Sequence, residues 1–186
     1  MSTVHGLLLA AGAGRRMGMP KALKRDPDGT PWLARAAGVL LDGGCDGVTV
    51  VLGACGGRAA IDIPGVRYAL CPDWEEGIGA SLAHGLREIS ASGASCALVH
   101  LVDLPDVTAL VAQRLLQPEP DAGDLRRAVY SGVVGHPVVI GRDHWRPLRA
   151  ELAGDRGAGP YLRRRGALQV ECGDLASGVD VDSPQE

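Results

Sequence analysis

Apolar residues along this chain gather into short unbroken runs, and between the runs they return at helical spacing. Val4 to Ala10 is the first run, short enough for one buried strand, and Val48 to Leu52 is a compact β-branched second. Arg67 to Leu70 is a shorter candidate. Ser95 to Val102 is apolar apart from His100, and Arg127 to Tyr130, Pro137 to Ile140 and Gln169 to Cys172 complete the strand-like segments. Helical patterns cover Trp32 to Leu41, Ser81 to about Ser90, Val107 to Leu116 and Arg142 to Leu152, with a shorter helix ending at Arg163-Arg164-Arg165. Strands that alternate with helices predict an α/β fold: a three-layer α/β/α sandwich around a mostly parallel sheet, with right-handed crossovers. One domain over residues 1–186 is the expectation for this length.

Turn and cap residues punctuate the pattern. Asp28-Gly29 marks a turn within the polar stretch from Lys24 to Pro31, and Thr30-Pro31 reads as the N-cap and first residue of the helix that follows. Gly43-Gly44 ends that helix, and Asp106 reads as the N-cap of Val107 to Leu116.

Composition narrows the partners. The net charge is −3 and no block of like charge is present, which points away from nucleic acid and anionic membranes and toward small molecules. No segment reaches the length of apolar sequence that a membrane helix needs, and no secretory leader pattern opens the chain, so a cytoplasmic location is expected, as a monomer or weak homo-oligomer. Five cysteines at 45, 55, 71, 96 and 172 form no CxxC pair, which favours reduced, mostly buried thiols over disulfides or a zinc site. Phenylalanine is absent, so the core must be aliphatic.

The chemistry concentrates between Leu7 and Lys21, LLLAAGAGRRMGMPK, where the first strand gives way to glycine and basic side chains. Glycines 12, 14 and 18 let backbone N–H groups approach an anion, and Arg15, Arg16 and Lys21 bring positive charge to the same loop. A dinucleotide fingerprint GxGxxG fails because Met17 stands at the third glycine position, and no GxxxxGK[ST] loop occurs. A plain glycine-rich turn would not need three basic residues, so the loop reads as a polyphosphate cradle.

Three other places carry candidate chemistry. Asp103 ends the Ser95–Val102 strand, where open α/β sheets bind ligands, although an Asp before a proline turn can be a turn residue only. Ser81 stands at the start of a helix, where free N–H groups favour polar or anionic partners, and it reads equally as a cap. His136, between Gly135 and Pro137, has no Ser or Cys nucleophile legible beside it. The three arginines at 163–165 read as a solvated helix end and a secondary anion contact.

Leu9-Ala-Ala-Gly-Ala-Gly-Arg-Arg-Met-Gly-Met-Pro-Lys21 resembles the LAxGxSxRMGxxK signature of the MobA-like nucleotidyltransferases, with Gly14 where many members carry serine, a small residue for a small residue. Trp74 to Leu82 is similar to the W-x-x-G-[IM]-x-x-S-[LV] loop, Leu101-Val-Asp103-Leu-Pro105 to LxDxP, Gly154 to Ala158 to GDxGA, and Asp180-Val-Asp182-Ser-Pro184 to the D-[IV]-D-[ST]-P-E closing segment. Gly135-His136-Pro137 also occurs in the molybdopterin cytidylyltransferase branch of that family, near the substrate pocket.

The resemblance implies a magnesium-dependent nucleotidyl transfer. Arg16, Lys21 and Asp103 would be catalytic; Leu9, Ala10, Ala11, Gly12, Gly14, Arg15, Lys21, Gly79 and Ser81 would contact the nucleotide; Gly135 and His136 would contact the second substrate; Asp103 and Asp182 would hold magnesium. Within the family LAAG accompanies cytidylyl and LAGG guanylyl transfer, so Leu9-Ala10-Ala11-Gly12 implies CTP, with the Ala11 methyl narrowing the base pocket, and the branch implies molybdopterin as acceptor. Two other readings use the same loop: an oxidoreductase that binds NAD(P)H or flavin, and a non-catalytic cofactor carrier. Neither requires the two metal carboxylates.

Overall fold

Strand β1 (Val4–Ala10) turns its side chains alternately into two aliphatic cores, and the rest of the chain is built to cover them. In this computed structural model, which describes residues 3–181, Val4, Leu8 and Ala10 face one core and Leu7 and Leu9 the other. Helices α1 (Trp32–Asp42) and α3 (Ala109–Leu115) close the first, through Leu33, Ala37, Leu40, Val111 and Leu115. Helices α2 (Ile78–Glu88), α4 (Arg142–Glu151) and α5 (Gly159–Arg164) close the second, through Leu82, Leu86, Trp145, Leu148, Tyr161 and Leu162. Two positions without a side chain make this approach possible. A Cβ on Gly6 would lie 2.8 Å from Val48 and 3.1 Å from Leu40, and one on Gly85 would lie 2.6 Å from Leu7.

The remaining strands are β2 (Gly47–Leu52), β3 (Val66–Leu70), β4 (Cys96–Leu101), β5 (Leu125–Tyr130), β6 (Val133–Gly141) and β7 (Leu168–Glu171). They form one seven-stranded sheet in the order β3-β2-β1-β4-β6-β5-β7. All pairings are parallel except those of β6, which runs antiparallel to β4 and β5. The fold is therefore the expected three-layer sandwich. Because β1 connects to β2 on one side and lies against β4 on the other, the carboxyl ends of β1 and β4 flank a topological switch point, where connections leave in opposite directions and a crevice opens.

Two predicted caps are displaced. Pro31, not Thr30, holds the cap position of α1, with its carbonyl accepting the Arg35 N–H at 3.0 Å, because Thr30 is drawn into the preceding turn by its bond to Asp28 Oδ1. Helix α3 starts two residues later than expected, after Thr108, and leaves Asp106 outside it. The Asp106 carboxylate turns to the chain terminus, where Oδ2 accepts the Ser177 N–H at 2.6 Å and its hydroxyl at 2.5 Å. The strand read as Pro137 to Ile140 grows to nine residues, because the β5–β6 hairpin supplies pairing to its exposed, polar-facing start as well. All five cysteines are buried, and burial pushes the Cys45 and Cys96 thiols up to about 12. Among the described residues no helix is long and apolar enough to cross a membrane.

Candidate active site

The glycine loop leaves β1 at the switch point, and its conformation is forced by close backbone contact. Gly14 has φ +58, and a Cβ there would lie 2.0 Å from the Met19 carbonyl oxygen. Serine at this position is consequently not a neutral exchange in this backbone, contrary to the small-for-small expectation. A 3₁₀ turn over Arg15–Met17 follows, closed by Met17 N–H to Gly14 O at 2.9 Å and pinned by burial of Met17. Gly18, at φ +71, reverses the chain. A second short turn, Lys21–Leu23, buries Ala22 and so directs Lys21 back over the sheet.

Asp103 reaches the same place from β4. The register aligns Leu9 with Leu101, and Val102 N–H donates to Leu9 O at 3.3 Å, so the residues just beyond both strands stand side by side. Lys21 Nζ lies 2.6 Å from Asp103 Oδ2. Asp103 Oδ1 is buried with no hydrogen-bond partner among the described residues. A buried carboxylate oxygen left open is costly unless something electropositive meets it, and a hard cation that takes oxygen ligands fits that place.

Both features line one cleft of about 660 Å³. Leu9, Ala10, Ala11, Gly12, Gly14, Arg15, Arg16, Lys21, Ser81 and Asp103, all singled out from the sequence, are on its walls. A Cβ on Gly12 would meet no other atom within 4 Å, so that position opens freely into the cleft. Ser81 lies in the first turn of α2, 4% exposed, its hydroxyl donating to Gly77 O at 3.4 Å.

Three of the expected contacts lie elsewhere. Gly79 is under the cleft wall, where its N–H donates to Gly154 O at 2.9 Å and a Cβ would clash at 2.8 Å with the Gly154 and Arg156 carbonyl oxygens, so its smallness seats the 153–156 turn against α2. Gly135 and His136 belong to β6 and are not among the lining residues. A Cβ on Gly135 would press on the Tyr130 ring at 2.9 Å, and the His136 carbonyl accepts the Tyr130 hydroxyl at 2.6 Å, so both hold the hairpin together. Asp182 lies outside the described residues; Val181, just before it, donates its N–H to Asp103 O at 3.0 Å.

The cleft also recruits Trp74, Glu75, Gly77, Ile78 and Asp155, which sequence reasoning did not assign to it. Trp74 and Asp155 sit inside stretches whose pattern was legible, WEEGIGASL and GDRGA, but nothing in a one-dimensional pattern says that the two stretches meet. The contact is made by Gly77 (φ +121), whose Cβ would lie 2.4 Å from Asp155 Oδ1.

A profile described as the MobA-like NTP transferase domain matches residues 6–170. The chain belongs to the MobA-like NTP transferase family. A curated relative, the nicotine blue oxidoreductase of Paenarthrobacter nicotinovorans, is 34% identical over 98% of this chain and 94% of its own length. Among solved structures, Rv0371c from Mycobacterium tuberculosis H37Rv superposes with a TM-score of 0.80 at 26% identity, over 98% of this chain and 94% of that one. A second structure of Rv0371c, in complex with manganese, superposes with a TM-score of 0.75 over 97% and 94% of the two chains at 26% identity. The seven-stranded, mostly parallel sheet with its covering helices is the fold these relatives share.

Proposed function

We propose that this MobA-like protein transfers a nucleoside monophosphate, CMP from CTP, to a small phosphorylated acceptor and releases pyrophosphate. The observation that carries the reading is the meeting of Lys21 and the half-open Asp103 carboxylate at 2.6 Å beside a glycine loop that bears Arg15 and Arg16. Phosphoryl-type transfer asks a protein for positioning and for neutralisation of charge that develops on phosphate oxygens. The loop N–H groups, Arg15, Arg16 and Lys21 would bind the triphosphate and stabilise the departing pyrophosphate. Asp103, with Asp182 as a second carboxylate, would hold the divalent ion, magnesium in this reading. When bound, the ion neutralises phosphate charge and orients the α-phosphate for attack by the acceptor oxygen. Asp182 follows directly on Val181, and the bond from Val181 N–H to the Asp103 backbone supports their pairing.

Leu9-Ala10-Ala11-Gly12 supports cytosine as the base, since Ala11 lines the cleft and its methyl narrows it against a purine. Molybdopterin is the acceptor that the Gly135-His136-Pro137 resemblance favours. The manganese complex of Rv0371c supports a divalent ion as the partner of this fold.

One observation favours a second reading: the relative named nicotine blue oxidoreductase is consistent with a redox protein that would bind NAD(P)H or flavin through the glycine loop. Calorimetric titration with CTP, GTP and NADPH, each with and without magnesium, separates the two. Magnesium-dependent binding of CTP is the expected result. Binding of NADPH that ignores magnesium, with no binding of CTP, would replace the transferase reading by the redox one.

A further inference from the structure

Asp155 is one of three carboxylates, with Asp103 and Glu75, in a cleft whose loop carries Arg15, Arg16 and Lys21. It lines the same cleft as the arginines and Lys21, on the turn that Gly154 fastens to α2 through Gly79 N–H at 2.9 Å. Two further approaches fix that turn: Asp155 Oδ1 sits over Gly77, where a Cβ would be 2.4 Å away, and a Cβ on Gly157 would touch Ile78 at 3.6 Å. Asp155 has no hydrogen-bond or ion-pair partner among the described residues. Backbone packing holds the turn that carries it, and its exposed carboxylate is left to meet whatever enters the cleft.

A triphosphate cannot be that partner, because like charges repel, and it is drawn to the basic end. The surroundings of Asp155 are instead those of a flat ring. Trp74, Ile78 and Ala11 supply apolar surface, and Ser81 a hydroxyl. Trp74 itself is fixed against the end of β2, since a Cβ on Gly53 would lie 2.5 Å from its Cβ and 2.6 Å from the Ala11 carbonyl oxygen. The Ala11 carbonyl is already occupied by the Ala54 N–H at 3.0 Å, so a donor on the ring has the Asp155 carboxylate to turn to.

We infer that Asp155 is a specificity-determining residue that accepts a hydrogen bond from the exocyclic amine of an amino-bearing pyrimidine and rejects one with a carbonyl at that position. This deepens the nucleotidyltransferase reading and rests on it. A carboxylate is a matched acceptor for the cytosine N4 amine, whereas uracil presents O4 there, acceptor against acceptor. Gly77 and Gly79 then have a joint purpose. Any side chain at either would lift the 153–156 turn and carry Asp155 away from the base.

The test is equilibrium binding of CTP, UTP and 2′-deoxy-CTP, with magnesium, to the wild type, Asp155→Asn and Asp155→Ala. The change in intrinsic tryptophan fluorescence, to which Trp74 in the cleft contributes beside Trp32 and Trp145, gives the readout, and thermal melts verify folding. The wild type is expected to bind CTP at least tenfold tighter than UTP. Asp155→Asn, whose amide can donate, is expected to bring that ratio to one or below, and Asp155→Ala to lower it by weakening CTP alone. Both variants should keep the wild-type ratio of CTP to 2′-deoxy-CTP. An unchanged CTP-to-UTP ratio in both variants overturns the assignment while leaving transfer intact, and so does loss of discrimination at the 2′ position, which would make Asp155 a ribose contact. If the wild type binds no nucleoside triphosphate, the transferase reading falls, and this inference with it.

Discussion

Lys21 Nζ stands 2.6 Å from Asp103 Oδ2, joining two segments 82 residues apart across the switch point of the sheet. The pair is partly shielded, with side chains 17% and 15% exposed, and it places a fixed positive charge on the carboxylate proposed to hold the divalent ion. In the proposed reading lysine and metal would therefore compete for Asp103 until a triphosphate arrives, whose oxygens could take both.

Lys21→Ala should thus have opposite effects on two ligands. Manganese should bind more tightly in the absence of nucleotide, because the competing cation is gone. CTP should bind more weakly and turnover fall about a hundredfold, the scale on which removal of one positioned charge-stabilising group is felt. Asp103→Asn should abolish the metal dependence of CTP binding. Manganese titration by paramagnetic relaxation, with circular dichroism as a folding control, reads these effects, and weaker metal binding in Lys21→Ala would refute the competition.

Gly14→Ser tests the loop geometry. At φ +58, with a Cβ position 2.0 Å from the Met19 carbonyl oxygen, the side chain cannot be added without moving the 14–19 segment, and left-handed strain at a non-glycine residue costs about 1–3 kcal/mol. Nucleotide affinity should drop roughly tenfold or more on the same scale. Wild-type affinity together with an unchanged melting temperature would mean that the loop adopts another conformation.

Asp106→Ala removes the acceptor of two hydrogen bonds from Ser177. Bonds to a charged acceptor contribute about 1.5–3 kcal/mol each when shielded, and the exposure of Ser177 places this clasp near or below the lower figure. The local consequence should exceed the global one. Amide exchange over residues 175–181 should accelerate while that of β1 and β4 is unaltered. Ser177→Ala, which keeps the backbone bond, should give an intermediate rate.

Acid sensitivity should come from two histidines. His100 is fully buried with both ring nitrogens lacking partners among the described residues, and burial, aided by His136 and Arg35, lowers it to about 3. Burial and Arg127 lower His136 to about 4. Both are neutral in the folded protein and take up protons on unfolding at any pH between their folded values and about 6.5. Their contribution is therefore fully present above about pH 6.5 and is lost as pH falls toward 4, with a slope that approaches two protons, about 2.7 kcal/mol per pH unit, near pH 5. Urea titrations from pH 7 to 4.5 measure this slope. His100→Leu should reduce it by one proton without loss of stability at pH 7, since it removes an unsatisfied buried polar group. A flat profile between pH 6.5 and 5 would contradict the assignment.

Much of this protein is local, and what is local is legible. The run Val4 to Ala10 could only be buried on both sides, the β-branched Val48–Leu52 behaves likewise, and an arginine-rich glycine loop after a strand has few uses besides binding an anion. Asp103 was readable for the same reason: the end of a central parallel strand is a ligand position by topology. Spacing does not encode which distant segments touch. That Asp106 faces Ser177 rather than capping α3, that Gly79 seats a turn, and that Gly135 and His136 brace a hairpin all depend on packing between residues 5 to 77 positions apart. Asp155 shows this most plainly. As sequence it is one aspartate in a glycine-rich turn, and it becomes part of the cleft only because Gly77 and Gly79 have no side chains to keep the turn away.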